Sequence, residues 1–201
     1  MADVTLTASG KVVTGFSYPY VAKYAAAAGK ITYTSAMELA RGVSVDISPE
    51  TSDNNTFYAN NQASEEAPKR FNGGTLSLTV DGLLIAAERF IMGLPESGTD
   101  GWSDYNDSTT PPYVGVGYIT RYMCGGVETW VPTIICKVKF DLISSSASTQ
   151  EDGIDWQTQS LTAAIFRADD GGHTWKSIGK DYATEAEALA ALKTKLGVAA
   201  G

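Results

Sequence analysis

Histidine is almost absent from this 201-residue chain, cysteine occurs twice, and basic residues are outnumbered 15 to 23 by acidic ones. Each scarcity excludes something. The one imidazole, His173, lies in the turn-forming stretch DDGGHTW. A catalytic triad would need it beside a nucleophile and an orienting carboxylate. Neither GxSxG nor HExxH occurs, so an exposed turn histidine is the expectation. One His and two distant Cys cannot build the usual N/S zinc site. A net charge of -8 argues against a chain that grips nucleic acid, because phosphate binding needs clustered Lys and Arg. It leaves room for a surface that DNA passes without sticking.

Long apolar runs are also missing. None approaches the roughly 20 residues that a membrane helix needs. The opening MADVTLTASG has neither a basic region nor an apolar stretch, so no secretory signal is expected, and the protein would be used in a cytoplasm or leave the cell by a route other than secretion. A hairpin turning at Gly125-Gly126 pairs Cys124 with Val127 and Cys136 with Gly115. That places the sulfurs roughly 30 Å apart, beyond disulfide reach, and predicts two reduced core thiols.

What the chain does have is strand periodicity. Gly15 to Lys30 suits an extended segment. From Gly42 to Ser48, Val43, Val45 and Ile47 face one way while Ser44, Asp46 and Ser48 face the other, and Pro49 is expected to end the strand. A short strand follows at Phe57-Tyr58. NNQASEEAPKRFN at 60–72 reads as a long polar loop, a length that usually means partner contact. Thr75 to Val80 alternates again, with Leu76, Leu78 and Val80 inward. Asp81 is the expected N-cap of a helix from Gly82 to Met92, closed by Gly93.

Pro95 to Pro112 is a second loop. Tyr113 to Tyr122 and Val127 to Leu142 form the Gly-Gly hairpin, with Pro132 predicting a bulge or a sheet edge. Gln157 to Phe166 is a strand with Leu161, Ala163 and Ile165 inward, and after the Asp169 to Gly172 turn Trp175 to Tyr182 is expected to return as a strand. Thr184 and Glu187 make a capping box for a last helix ending at Gly197, with Leu189, Leu192 and Leu196 on its apolar face. The order predicts one mainly β domain, an antiparallel sandwich or barrel with helices on its flank.

No site for chemistry emerges. Glu96, Asp100, Asp104 and Asp107 depart from EF-hand spacing and read as a solvated loop, as do Glu151, Asp152 and Asp155. GVG at 115–117 lies inside a strand, not in a phosphate cradle. The four tryptophans and ten tyrosines are ordinary sheet material, although a carbohydrate- or cell-surface-binding sandwich would also use them.

Several stretches in collinear order resemble the major tail proteins of long-tailed bacteriophages, the phi13-type family. They are TGFSYPYVAKY, VSVDISPETSDNNTFYANN, GGTLSLTVDGL, the helix ending in MGLPE, and YVGVGYI, followed by the Phe140 strand and an Ala-rich C-terminal helix. The resemblance implies a tail tube subunit without enzymatic activity or cofactor, forming six-membered rings that stack into a hollow tube for DNA ejection. Implied partners are other copies of the chain, a tape measure protein, and tail terminator or baseplate proteins. DNA would pass through the lumen without specific binding. The implied location is the virion tail, assembled in the host cytoplasm. On that basis Ser44, Asp46, Ser48, Ser77 and Thr79 are the expected lumen-facing residues. Gln62, Glu65, Glu66, Lys69 and Arg70 are the expected ring-stacking loop.

Overall fold

A computed structural model describes residues 10–53, 56–59, 62–66, 68–95, 101–145, 149 and 156–198. The period-2 segments become strands of one antiparallel sheet. They are β1 (Val12–Ala27), β2 (Lys30–Glu38), β3 (Gly42–Thr51), β6 (Phe71–Val80), β7 (Val114–Cys124), β8 (Val127–Phe140), β9 (Gln159–Ile165) and β10 (Lys176–Ile178). The order across the sheet is β2-β1-β7-β8-β9-β6-β3, with β10 paired to β8 above β9. Two further strands, β4 (Thr56–Ala59) and β5 (Gln62–Glu66), pair only with each other among the described residues. The helices are α1 (Ile85–Met92) and α2 (Glu185–Lys195). The fold is mainly β with flanking helices.

The sheet curls. β1 and β3 stand far apart in the strand order yet touch, and a Cβ added at Gly42 of β3 would come 2.1 Å from the Phe16 ring of β1. Only glycine permits that approach. Inside the curl, Val21, Leu76, Leu78, Val116, Val138, Phe140 and Leu161 form the main core, and Ala87, Ile91 and Met92 of α1 pack into it. Outside, α2 lays Ala188, Leu192 and Leu196 over Tyr20, Ala22, Ile119 and Ile134. Gly117 of β7 lies beneath α2, where a side chain would strike Leu192 and Leu196.

Several expectations change. The strand at 42–51 runs through Pro49 to Thr51, because β6 continues to pair with it on one side and the other edge is open. Asp81 does not cap α1. The helix starts three residues later with Leu84 as N-cap, and the Asp81 carboxylate instead accepts from the Arg41 backbone N–H at 3.1 Å and its side chain at 2.5 Å. The loop expected at 60–72 contains β5 and the start of β6. Pro132 is neither at a bulge in β8 nor on an edge strand, since it pairs in register with Ile119. Its carbonyl accepts from Gly179 N–H just past the end of β10. In an antiparallel ladder the N and O of one residue point the same way, so the missing donor falls where the β10 ladder has ended.

The strand expected at 175–182 shortens to β10, Glu96, Asp100, Glu151, Asp152 and Asp155 lie outside the described residues, and three other local signals behave as read. Gly93 closes α1 at φ 69°. The Thr184 hydroxyl accepts from Glu187 N–H at 3.3 Å, and the Gly125-Gly126 turn sets Cys124 opposite Val127. Both cysteines are buried and no disulfide joins them.

Candidate assembly surfaces

Alternation on three neighbouring strands is brought into register by the pairing of β3 with β6 and β6 with β9. Ser44 stands opposite Thr79, which stands opposite Ser160; Asp46, Ser77 and Thr162 form the next row, and Ser48, Thr75 and Ala164 the third. Residues opposite one another in a ladder share a face, about 5 Å apart. The other face of the same strands holds Val45, Leu78 and Leu161, then Ile47, Leu76 and Ala163, which enter the core. All five residues expected on a lumen therefore lie on one continuous outer face. Ser44, Asp46, Ser48 and Ser77 are exposed, Thr79 is half-buried, and neither helix covers them.

Small hydroxyls dominate this surface. Ser48 Oγ lies 3.5 Å from Asp46 Oδ2, and no long side chain rises from the three rows. Its charges are Asp46 and Glu50 on β3, with Lys139 of β8 joining beside Ala164. Exposed Asp141, whose N–H donates to the Thr162 carbonyl, adds a third carboxylate, so the face is weakly acidic.

The five stacking residues divide. Gln62, Glu65 and Glu66 belong to β5 of the small hairpin. Lys69 and Arg70 are exposed on the connection into β6. Arg70 is fastened at the end of β3: its N–H donates to Ser52 Oγ at 3.1 Å, and its carbonyl accepts from Ser52 N–H at 2.8 Å.

No protein-family model matches this chain, and no curated protein sequence does. Its chemistry is therefore read from its own residues.

His173 is exposed at φ 51° in the 169–172 turn, with Nδ1 3.4 Å from the Ala168 carbonyl. Both Asp170 oxygens are engaged by Thr174, one by its N–H at 2.7 Å and one by its hydroxyl at 2.6 Å, which holds that carboxyl below its usual range. Burial pushes the Cys136 thiol up, away from the thiolate a nucleophile would need. Among the described residues, no three His, Cys, Asp or Glu side chains stand together as metal ligands.

A feature the sequence concealed is a groove on the α2 side of the sheet. Two adjoining cavities of about 350 and 380 Å³ share Ile134, Ser177 and Lys195. One is walled by α2 and β10, the other by the β1–β2 turn and the 169–172 turn. Lys30 and Lys195 line it, and Lys176 and Lys193 lie on the flanking β10 and α2. These lysines are scattered along the chain, and only the topology gathers them.

Proposed function

We propose that this chain is a non-catalytic structural subunit that assembles with copies of itself into stacked rings, forming a tail tube of a long-tailed bacteriophage. The observation that carries the reading is the polar outer face of β3, β6 and β9. It is an in-register field of small hydroxyls, uncovered by either helix, on the back of strands whose other side is core. A conduit for a polyanion needs a wall without clustered bases to arrest the phosphates and without apolar side chains to seize the bases. Serine and threonine rows with scattered carboxylates and a single lysine meet both conditions.

The collinear resemblance to tail tube proteins supports the same reading. So do the outer edges of β2 and β3, unpaired among the described residues, since long open edges in one subunit are templates for pairing with a neighbour. Rings of six, a tape measure protein, and terminator or baseplate partners belong to this proposal, as does the virion as its location. A sugar-binding sandwich would present clustered exposed aromatics. Here Trp130 packs against the α2 core and Trp175 stacks on Phe71 at 4.5 Å, while Trp102 and Tyr105 are exposed on one loop and Tyr113 meets Phe166 at the surface.

Negative-stain images of the purified protein, taken from micromolar to millimolar concentration, test the reading. Rings and hollow tubes are expected. Strict monomers at every concentration, in several salts, would overturn it.

A further inference from the structure

Among the described residues, two surfaces have no strand or ion-pair partner and complement one another. The first is the β4–β5 hairpin, which forms a sheet of its own and pairs with no strand of the main sheet among the described residues. An isolated two-stranded hairpin is marginally stable at best in water, so it calls for packing from elsewhere. Residues 54–66 around it include Glu65 and Glu66 and no Lys or Arg.

The second surface is the lysine-flanked groove. In a chain of net charge -8, Lys30 and Lys195 line it, and among the described residues neither forms an ion pair. Asp170 is the carboxylate lining it, and Thr174 already engages both of its oxygens. Along one wall runs β10, whose inner edge pairs with β8 and whose outer edge pairs with nothing among the described residues. An extended segment entering the groove would meet open main-chain donors and acceptors, apolar wall at Ile134 and Leu192, and positive charge.

We propose that the groove receives the β4–β5 hairpin of a second copy of the chain, with β5 adding to the outer edge of β10 and its acidic end, Glu65-Glu66, brought beside Lys30 and Lys195. The acidic loop 101–113, of comparable length, is already held by its own chain. Arg89 donates to Ser103 and, at 3.3 Å, to the Gly101 carbonyl, and Tyr105 donates to Glu88 at 2.6 Å. The contact is heterologous, one surface of a subunit meeting a different surface of the next, so it propagates as a ring or a stack and does not close as a dimer. It rests on the self-assembly reading and specifies which surfaces meet.

Charge reversal and charge exchange in the full chain test it, read by analytical ultracentrifugation alongside electron microscopy. Lys30 and Lys195 are exposed and make no ion pair, so K30E/K195E is expected to fold as wild type by circular dichroism. It should weaken self-association at least about tenfold, as should E65K/E66K, because truncating or inverting close interfacial charges has that scale of effect. The combined four-site variant should recover to within about threefold of wild type, and the wild-type contact should weaken as salt rises.

Tubes from both double variants as abundant as wild type would overturn the groove contact and leave the tube reading standing. Self-association that is charge-swappable, but yields no hollow tubes, would support the contact and overturn the tube reading. Wild-type chains that never self-associate would overturn both.

Discussion

The seating of α2 on β7 can be probed by a pair of substitutions whose effects should not add. A methyl at position 117 would lie 2.7 Å from Leu192 Cδ1, 3.4 Å from Leu192 Cγ and 2.9 Å from Leu196 Cδ1. Both leucines are essentially fully buried, so neither can swing into solvent without lifting the helix. Gly117→Ala should therefore destabilise by about 1 kcal/mol, the low end of overpacking after the gain from replacing a strand glycine. Leu192→Ala should cost about 3 kcal/mol through lost burial and the cavity left behind. That second change removes the Cδ1 and Cγ atoms the new methyl strikes and leaves only Leu196. The double variant should then cost little more than Leu192→Ala alone, a favourable coupling of about 1 kcal/mol against an additive sum of about 4. Urea unfolding followed by tryptophan fluorescence suits the measurement, since Trp130 packs in the same cluster. Costs that add to within about 0.5 kcal/mol, or a Gly117→Ala that stabilises, would show that α2 does not rest on β7 as described.

Thr184→Ala, which removes the hydroxyl accepting from Glu187 N–H, should lower stability by about 1 kcal/mol in the same urea assay. Burial pushes the Tyr118 phenol up to about 12, as burial with the Glu88 contact does for Tyr105. Above pH 10 the unfolded chain releases protons that the folded chain keeps, so stability should fall as pH rises from about 10 to 12; a flat profile there would refute the assignment. Asp46→Lys on the exposed polar face should change folding stability by no more than about 0.5 kcal/mol. It should nonetheless give tubes that retain short DNA on sedimentation where wild-type tubes do not. Deleting Gln62 to Lys69 should leave near-ultraviolet circular dichroism unchanged and prevent long tubes, as micrographs would show.

Strict alternation made the central strands legible. Leu76, Leu78 and Val80, and likewise Leu161, Ala163 and Ile165, face inward because their polar neighbours can only face out. Capping chemistry placed α2 for the same local reason. β2 was not legible: Ser35 at φ 53° interrupts its alternation, and most of its residues are exposed or half-buried. β5 was hidden by its composition, because QASEE has no apolar row to announce a strand and owes its geometry to cross-strand pairing. Asp81 misled because its carboxylate had two possible partners, a helix N-terminus and Arg41, and the nearby guanidinium prevailed. The polar face was half legible: its residues follow from period two, but their alignment across three strands depends on register, a long-range property. The groove was invisible, since Lys30 and Lys195 meet only after α2 has docked.

The two buried thiols give the molecule a pair of chemical clocks. Cys124 is the last residue of β7 beside the glycine turn, while Cys136 lies mid-strand, its carbonyl accepting from the Tyr33 hydroxyl at 3.0 Å and its thiol 3.7 Å from Ser177 Oγ. A thiol reagent can reach Cys124 whenever the hairpin tip frays, but reaches Cys136 only when β2 or β10 lifts away. Their labelling rates therefore time two separate openings of one sheet, and no probe has to be engineered into it. The slower clock sits at the wall of the lysine-flanked groove, so anything seated there would hold it back while the faster one ran on unchanged.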